Sequence, residues 1–329
     1  MIATDQTMKD LLRTADLGHD NLLALLDLGE RLARDPLEHR CLLSGDTVVL
    51  YFNKPSTRTR LSFETAVAHL GGTPVTVGPH ELQLDRGETI EDTARVISSY
   101  ARAFVIRTFS DNDVRRFAAA ATIPVINALT DGHHPCQSIA DLMTLRETFG
   151  DLRGRRLAFV GDGDNVAHSL LEACALAGVD IAVATPLGYE PDDAVVQRAR
   201  DIAGRQGSMV LVTDDLHEAV RHADAVYTDV WASMGVPESD RAARAHAFRP
   251  YRVDAAVMAH AAPHAIFLHC LPAHRGEEVT AEVIDGPRSR VFRQAANRLP
   301  SEQAILCALV SGLLPRDGAP AEHALAGAV

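Results

Sequence analysis

TVVLYFNKPSTRTRLSFETAVAHLGGTPVTVG (47–78) decides the fold class. TVVLYF (47–52) is a short, nearly continuous apolar run rich in β-branched and aromatic residues, as in a strand covered on both faces. Pro55 ends it, and Ser56 is a good helix cap. Phe63, Ala66, Val67 and Leu70 then recur at helical spacing, and TPVTVG (73–78) reads as the next strand. Outward from this unit the alternation continues through FVIRTF (104–109) and PVINAL (124–129). It resumes in RLAFVG (156–161), DIAVATP (180–186), MVLVT (209–213), AVYTDV (225–230) and AIFLHCL (265–271). Strands alternating with amphipathic helices predict an α/β protein of two doubly wound parallel-sheet domains. Residues 1–40 read as helical. A break near FGDLRGRR (149–156) gives domains 1–150 and 151–300, with a helix at about 301–314 returning to the first and a flexible tail at 315–329.

The 329 residues suffice for two cores, and 47% hydrophobic with 23% charged residues is globular composition. A net charge of −12 argues against nucleic-acid binding, so an anionic ligand requires a local concentration of arginine. No apolar run is long enough for a membrane span, and the N-terminus lacks a signal or transit pattern, which makes the cytosol the expected compartment. Cys41, Cys136, Cys174, Cys270 and Cys307 are scattered and odd in number, without a CxxC pair, so no disulfide framework or zinc ribbon is expected.

In open parallel sheets, ligands bind beyond the carboxyl ends of the strands, and the chemistry-bearing segments fall there. After TVVLYF, the hydroxyls of Ser56, Thr57 and Thr59 and the Arg58 guanidinium gather at a helix N-terminus, where free N–H groups and the helix dipole favour an anion. No GxxxxGK[ST] pattern accompanies them. Arg107 ends FVIRTF at the same edge. In LTDGHHPCQSIADL (129–142), Pro135 occupies the first helical position, His134 the cap and Gln137 the first turn. His133 and His134 lack a third ligand at suitable spacing, so no metal is expected.

GDGDNVAHSLL (161–171) follows a strand as a dinucleotide loop would, but Val166 stands at the third glycine position. In TDVWASMG (228–235), Asp229 can accept from an ammonium group, while Ser233 and the Met234 backbone can meet a carboxylate. The polar stretch 236–254 has the length of an active-site lid. HCLPAHRG (269–276) ends the last strand, and by itself Cys270 would be ordinary packing.

Taken in order, KPSTRTR, HPxQ, GDGxNVAxS, DxxxSMG and HCLP resemble the signatures of the aspartate/ornithine carbamoyltransferase family across residues 52–305, with SMG and HCLPAHRG pointing to its ornithine branch. The resemblance implies that Ser56, Thr57, Arg58 and Thr59 hold the phosphate of carbamoyl phosphate, with Thr59 also contacting the carbonyl oxygen. His134 then polarises the carbamoyl oxygen, Gln137 and the carbonyls of Cys270 and Leu271 bind the carbamoyl nitrogen, and Arg298 contacts the carbamoyl group. Asn165, Asp229, Ser233 and Met234 bind L-ornithine, with Cys270 near the reacting amine. Asp164 departs from the commoner asparagine. Gln83 aligns with a residue that reaches a neighbouring subunit's site, which implies a homotrimer or a multiple of trimers.

The expected reaction is direct attack of the neutral δ-amine on the carbamoyl carbon, giving L-citrulline. Thr59, Arg107 and His134 stabilise the developing oxyanion, and departing phosphate takes the amine proton. Carbamoyl phosphate carries its own leaving group, so neither a covalent enzyme intermediate nor a cofactor is needed. Two adjacent carbonyls aimed at one NH₂ also require a chain reversal, which predicts a cis Leu271–Pro272 bond. The alternatives are the aspartate branch, a carbamoyltransferase for putrescine, lysine or an acylated ornithine, a non-catalytic scaffold, and a nucleotide-binding module.

Overall fold

The structure, a computed structural model, describes residues 7–232 and 237–315. It divides into two compact units: residues up to Cys136 together with those from Arg298 onward, and Gln137–Asn297.

The first unit contains α1 (Gly18–Arg34), β1 (Thr47–Phe52), α2 (Arg58–His69), β2 (Thr73–Val77), α3 (Ile90–Ser98), β3 (Ala103–Arg107), α4 (Asp111–Ala120) and β4 (Val125–Leu129). The strands form a parallel sheet in the order β2-β1-β3-β4. Apolar strand residues pack between helices on both faces, with Phe104 stacked on Phe117 at 4.1 Å between centroids. The α2 stripe of Phe63, Ala66, Val67 and Leu70 is fully buried. The helix starts at Arg58 with Thr57 as its N-cap, one residue later than Ser56 would place it, and Thr57 supplies no side-chain capping bond.

After α5 (Pro135–Phe149), the second unit contains β5 (Arg156–Val160), α6 (Asn165–Ala177), β6 (Asp180–Ala184), α7 (Asp193–Gln206) and β7 (Val210–Thr213). It continues with α8 (Leu216–Val220), β8 (Ala225–Thr228), α9 (Glu238–Phe248), α10 (Ala255–His260), β9 (Ile266–His269) and α11 (Ala281–Ile284). Its parallel sheet has the order β7-β6-β5-β8-β9. The strand order reverses direction between β1 and β3 in one sheet and between β5 and β8 in the other. Such switch points open a crevice for ligands.

The division between units cuts α5 after Cys136 and α12 (Val291–Val310) after Asn297, inside helices and not at the loop 149–156. Within the second unit, Gln294 bonds Asp141, Asn297 bonds Thr144 and Arg293 bonds Glu147, so the body of α5 and the first turns of α12 are one packed piece. α12 begins at Val291, where the sequence suggested a start near 301, and it runs through Pro300. A proline inside a helix forfeits one hydrogen bond. Here burial of Ala304, Ile305, Leu306 and Leu309 offsets that loss. Of the proposed tail, residues 316–329 lie outside the described residues.

Gly71 has φ +84°, and a Cβ there would collide with the Arg40 carbonyl oxygen. Gly71→Ala is therefore expected to destabilise the protein by about 2 kcal/mol or more, seen as a lowered thermal midpoint.

Candidate active site

In the first unit, the chain leaves β1 at one side of the switch point and enters α2. Thr57 is exposed, Ser56 and Arg58 are half-buried, and Thr59 is buried. Arg107, the last residue of β3, is buried on the other side. Its carbonyl accepts from the Asn53 N–H at 2.8 Å, which ties the two strand ends together. Arg298 is buried, and its Nη2 donates to the Thr59 hydroxyl at 3.0 Å.

His134 is buried immediately before α5. The loop leading to it is clamped by Asp111, whose carboxylate accepts from the Thr130 hydroxyl at 2.7 Å and the Gly132 N–H at 3.0 Å and meets His133 Nδ1 at 2.9 Å. Burial, reinforced by the charges of Arg298, Arg107 and Arg58, holds the His134 imidazole well below its usual pKa. Three guanidinium groups thus act on one buried imidazole, a local concentration of positive charge in a net-acidic protein, and a neutral imidazole N–H can polarise a carbonyl without adding charge. Gln83 is exposed in a short 3-10 turn, Gln83–Arg86, and accepts from Arg86 at 3.4 Å.

In the second unit, β5 leads through Gly161–Asp164 into α6, whose first residue is the buried Asn165. The glycine at 163 has a packing reason: the backbone of Tyr189–Pro191 crosses so closely that a Cβ would overlap it. Close loop packing explains this Gly-rich turn without a dinucleotide. Arg244 in α9 pairs with Asp162, donates to the Trp231 carbonyl at 2.7 Å and lies over Tyr189 at 4.8 Å, which anchors part of the expected lid. Ser233 and Met234 lie outside the described residues.

Asp229 follows β8, and Cys270 follows the neighbouring β9. Burial raises the Asp229 pKa, opposed by His269, the Cys270 thiol and the Val230 N–H. The Leu271–Pro272 bond is cis, as expected, and Leu271 has φ +62°. The Leu271 N–H donates to His269 Nδ1 at 2.9 Å, leaving the ring proton on Nε2, 3.4 Å from the buried Glu278. Asp229, His269 and Cys270 have donor atoms within 4.8 Å of one another, as do His274, Glu277 and Glu278. His269 Nδ1 is thus occupied, whereas its buried Nε2 makes no hydrogen bond among the described residues.

Sequence reasoning missed the groups that hold these residues. Gln137 Nε2 donates to Asp141 at 2.8 Å, Gln294 Nε2 donates to the same carboxylate oxygen at 2.7 Å, and the His269 N–H donates to Gln294 Oε1 at 2.9 Å. A buried chain of bonds therefore joins Gln137 to the HCLP turn. Only the spacing of Gln137 and Asp141, four apart on one helix face, hinted at it.

A model of the aspartate/ornithine carbamoyltransferase carbamoyl-P binding domain matches residues 9–147, and that of the Asp/Orn binding domain matches residues 153–309. The chain belongs to the aspartate/ornithine carbamoyltransferase family. Among relatives within it, an ornithine carbamoyltransferase from Parafrankia sp. is 54% identical over 92% of this chain and 96% of its own length. The Bacillus subtilis ornithine carbamoyltransferase is 49% identical over 92% and 94% respectively. Among solved structures of the family, that of the Gloeobacter violaceus ornithine carbamoyltransferase superposes with TM-score 0.84 at 48% identity, covering 93% of this chain and 99% of that one. The Pyrococcus furiosus enzyme gives 0.87 at 46% identity, covering 95% and 98%.

His134 is expected to remain a neutral imidazole well below pH 6.5. Nitrogen-15 NMR of the ring, assigned with His134→Asn, checks this at pH 6. A ring titrating near 6.5 would contradict the three-arginine environment.

Proposed function

We infer that the chain transfers the carbamoyl group of carbamoyl phosphate to the δ-amine of L-ornithine, giving L-citrulline and phosphate. The observation that carries the chemistry is the buried His134 under the charges of Arg58, Arg107 and Arg298, with Arg298 bonded to Thr59 and the β1 and β3 ends tied by the Asn53–Arg107 bond. Such a site fits a compact dianion carrying a polarisable carbonyl.

In this reading, residues 1–150 with the last helix form the carbamoyl-phosphate half, and residues 151–300 the ornithine half. Ser56, Thr57 and Arg58 grip the phosphate, using the uncapped N–H groups of α2. Thr59, Arg107, His134 and Arg298 face the carbamoyl oxygen, and Gln137 with the Cys270 and Leu271 carbonyls receives the carbamoyl NH₂. Asn165, Asp229, Ser233 and Met234 hold the amino acid, and Asp229 also favours approach of the amine. The amine attacks as the neutral base and the C–O bond to phosphate breaks. The leaving phosphate accepts the proton, so atoms and charge balance without a covalent enzyme intermediate. Carbamoyl phosphate binds first, and residues 236–254 close over ornithine second. No helix among the described residues is long and apolar enough to cross a membrane, and we place the enzyme in the cytoplasm.

Citrulline-forming activity should be highest with ornithine in a panel containing putrescine, lysine and acetylornithine; a preferred rival amine would redirect the assignment of the second unit. Arg58→Ala should cost about 10²-fold or more in kcat/KM with the fold intact. We further propose a homotrimer, or a multiple of trimers, in which Gln83 reaches a neighbour's carbamoyl phosphate; a cyclic trimer requires a head-to-tail contact. Mixing Arg58→Ala with Gln83→Ala subunits under exchange should restore some activity. No recovery despite demonstrated exchange, or a monomeric mass in active solution, would refute sharing.

A further inference from the structure

Arg298 is on the last helix, remote in sequence from every other group of the anion site, and Glu302 is one of the residues that hold it there. Its Nε and Nη2 both donate to Glu302 Oε1, at 3.0 and 2.5 Å, and Nη2 also donates to the Thr59 hydroxyl at 3.0 Å. Both Glu302 and Thr59 are buried, and Glu302 is fully enclosed. The geometry has a consequence for orientation. Arg298 stands among like charges, close enough to Arg107 and Arg58 that all three act on His134. A long guanidinium side chain surrounded by such repulsion would swing away or spread over several rotamers. A carboxylate one turn along the same helix, gripping Nε and Nη2 together, leaves it one planar orientation.

The carboxyl is costly where it stands. Burial pushes Glu302 up to about 7, with Arg298 and the Ser62 hydroxyl opposing. Replacing such a pair by apolar groups is often neutral or stabilising, so stability is a weak reason for its presence.

We propose that Glu302 is a positioning residue for carbamoyl transfer, locking the Arg298 guanidinium onto Thr59 so that both meet the carbamoyl oxygen in one fixed geometry. This rests on the reading of Arg298 as a carbamoyl contact. Glu302 itself touches no substrate and acts through Arg298 alone.

The test is a double-mutant cycle on the full-length enzyme with Glu302→Gln, Arg298→Gln and the pair, alongside Glu302→Asp. The quantities measured are kcat, both KM values and the thermal midpoint. Glu302→Gln should lower kcat/KM for carbamoyl phosphate about 10-fold or more, since a misplaced contact is costly in a preorganised site. Ornithine KM at saturating carbamoyl phosphate should move by about twofold at most. In the Arg298→Gln background the Glu302 change should cost nothing further. Glu302→Asp keeps the charge that Arg298 needs and withdraws the carboxylate; its loss should be intermediate, and it carries the test should Glu302→Gln fail to fold. Wild-type kcat/KM in Glu302→Gln or in Glu302→Asp overturns the proposal while leaving Arg298 as a contact if Arg298→Gln is impaired. An equal loss in the Arg298→Gln background also overturns it, because Glu302 would then act by another route. A fully active Arg298→Gln enzyme instead removes the underlying reading.

Discussion

The first unit holds three guanidinium groups, those of Arg58, Arg107 and Arg298, near enough to one buried imidazole to act on it together. Three guanidinium groups facing one imidazole have no stable arrangement unless the scaffold opposes their separation. Arg107 ends β3 and Arg58 opens α2 beyond β1, and the Asn53–Arg107 backbone bond ties the two strand ends together. Glu302 supplies a buried countercharge behind Arg298. Burial and these charges keep the imidazole uncharged, as the proposed role of donating to an oxyanion requires.

The second unit solves a different problem. In the proposed function its residues recognise an amino acid through groups of modest charge, and buried hydrogen bonds fix their geometry. Asp141 accepts from two amides, Gln294 spends its oxygen on the His269 N–H, and His269 accepts from the Leu271 N–H. The Gln137 and Gln294 amides and the His269 and Leu271 backbone N–H groups each find a buried acceptor, which rigidifies their surroundings. The left-handed Leu271 and the bond to Pro272 that follows it are held from behind by this network.

The local elements were legible because the apolar periodicity of each strand and helix is a property of adjacent residues. Each expected strand stands at its apolar run, within a residue or two at the ends. Ser56 illustrates the limit: hydroxyls at 56 and 57 are both plausible caps, and the backbone enters α2 one residue later. Pro300 illustrates another. A proline reads as a boundary, but the burial that carries α12 past it belongs to residues packed from elsewhere in the chain.

The sequence by itself determined the α/β class, the strand-end location of the motifs, and the identity of Arg58, Arg107, His134, Gln137, Asn165, Asp229, Cys270 and Arg298 as candidate ligands, because motif order and local periodicity survive without coordinates. Tertiary structure alone decided which side chains hold them. Arg298 and Glu302 are four residues apart on α12, and only packing seals them from water. Asp141 and Gln294 are 153 positions apart, and Asp111 lies 22 residues before the histidine it braces. Nothing in a local pattern marks such pairs, since their hydrogen bonds are enforced by burial, and burial is a property of the folded chain.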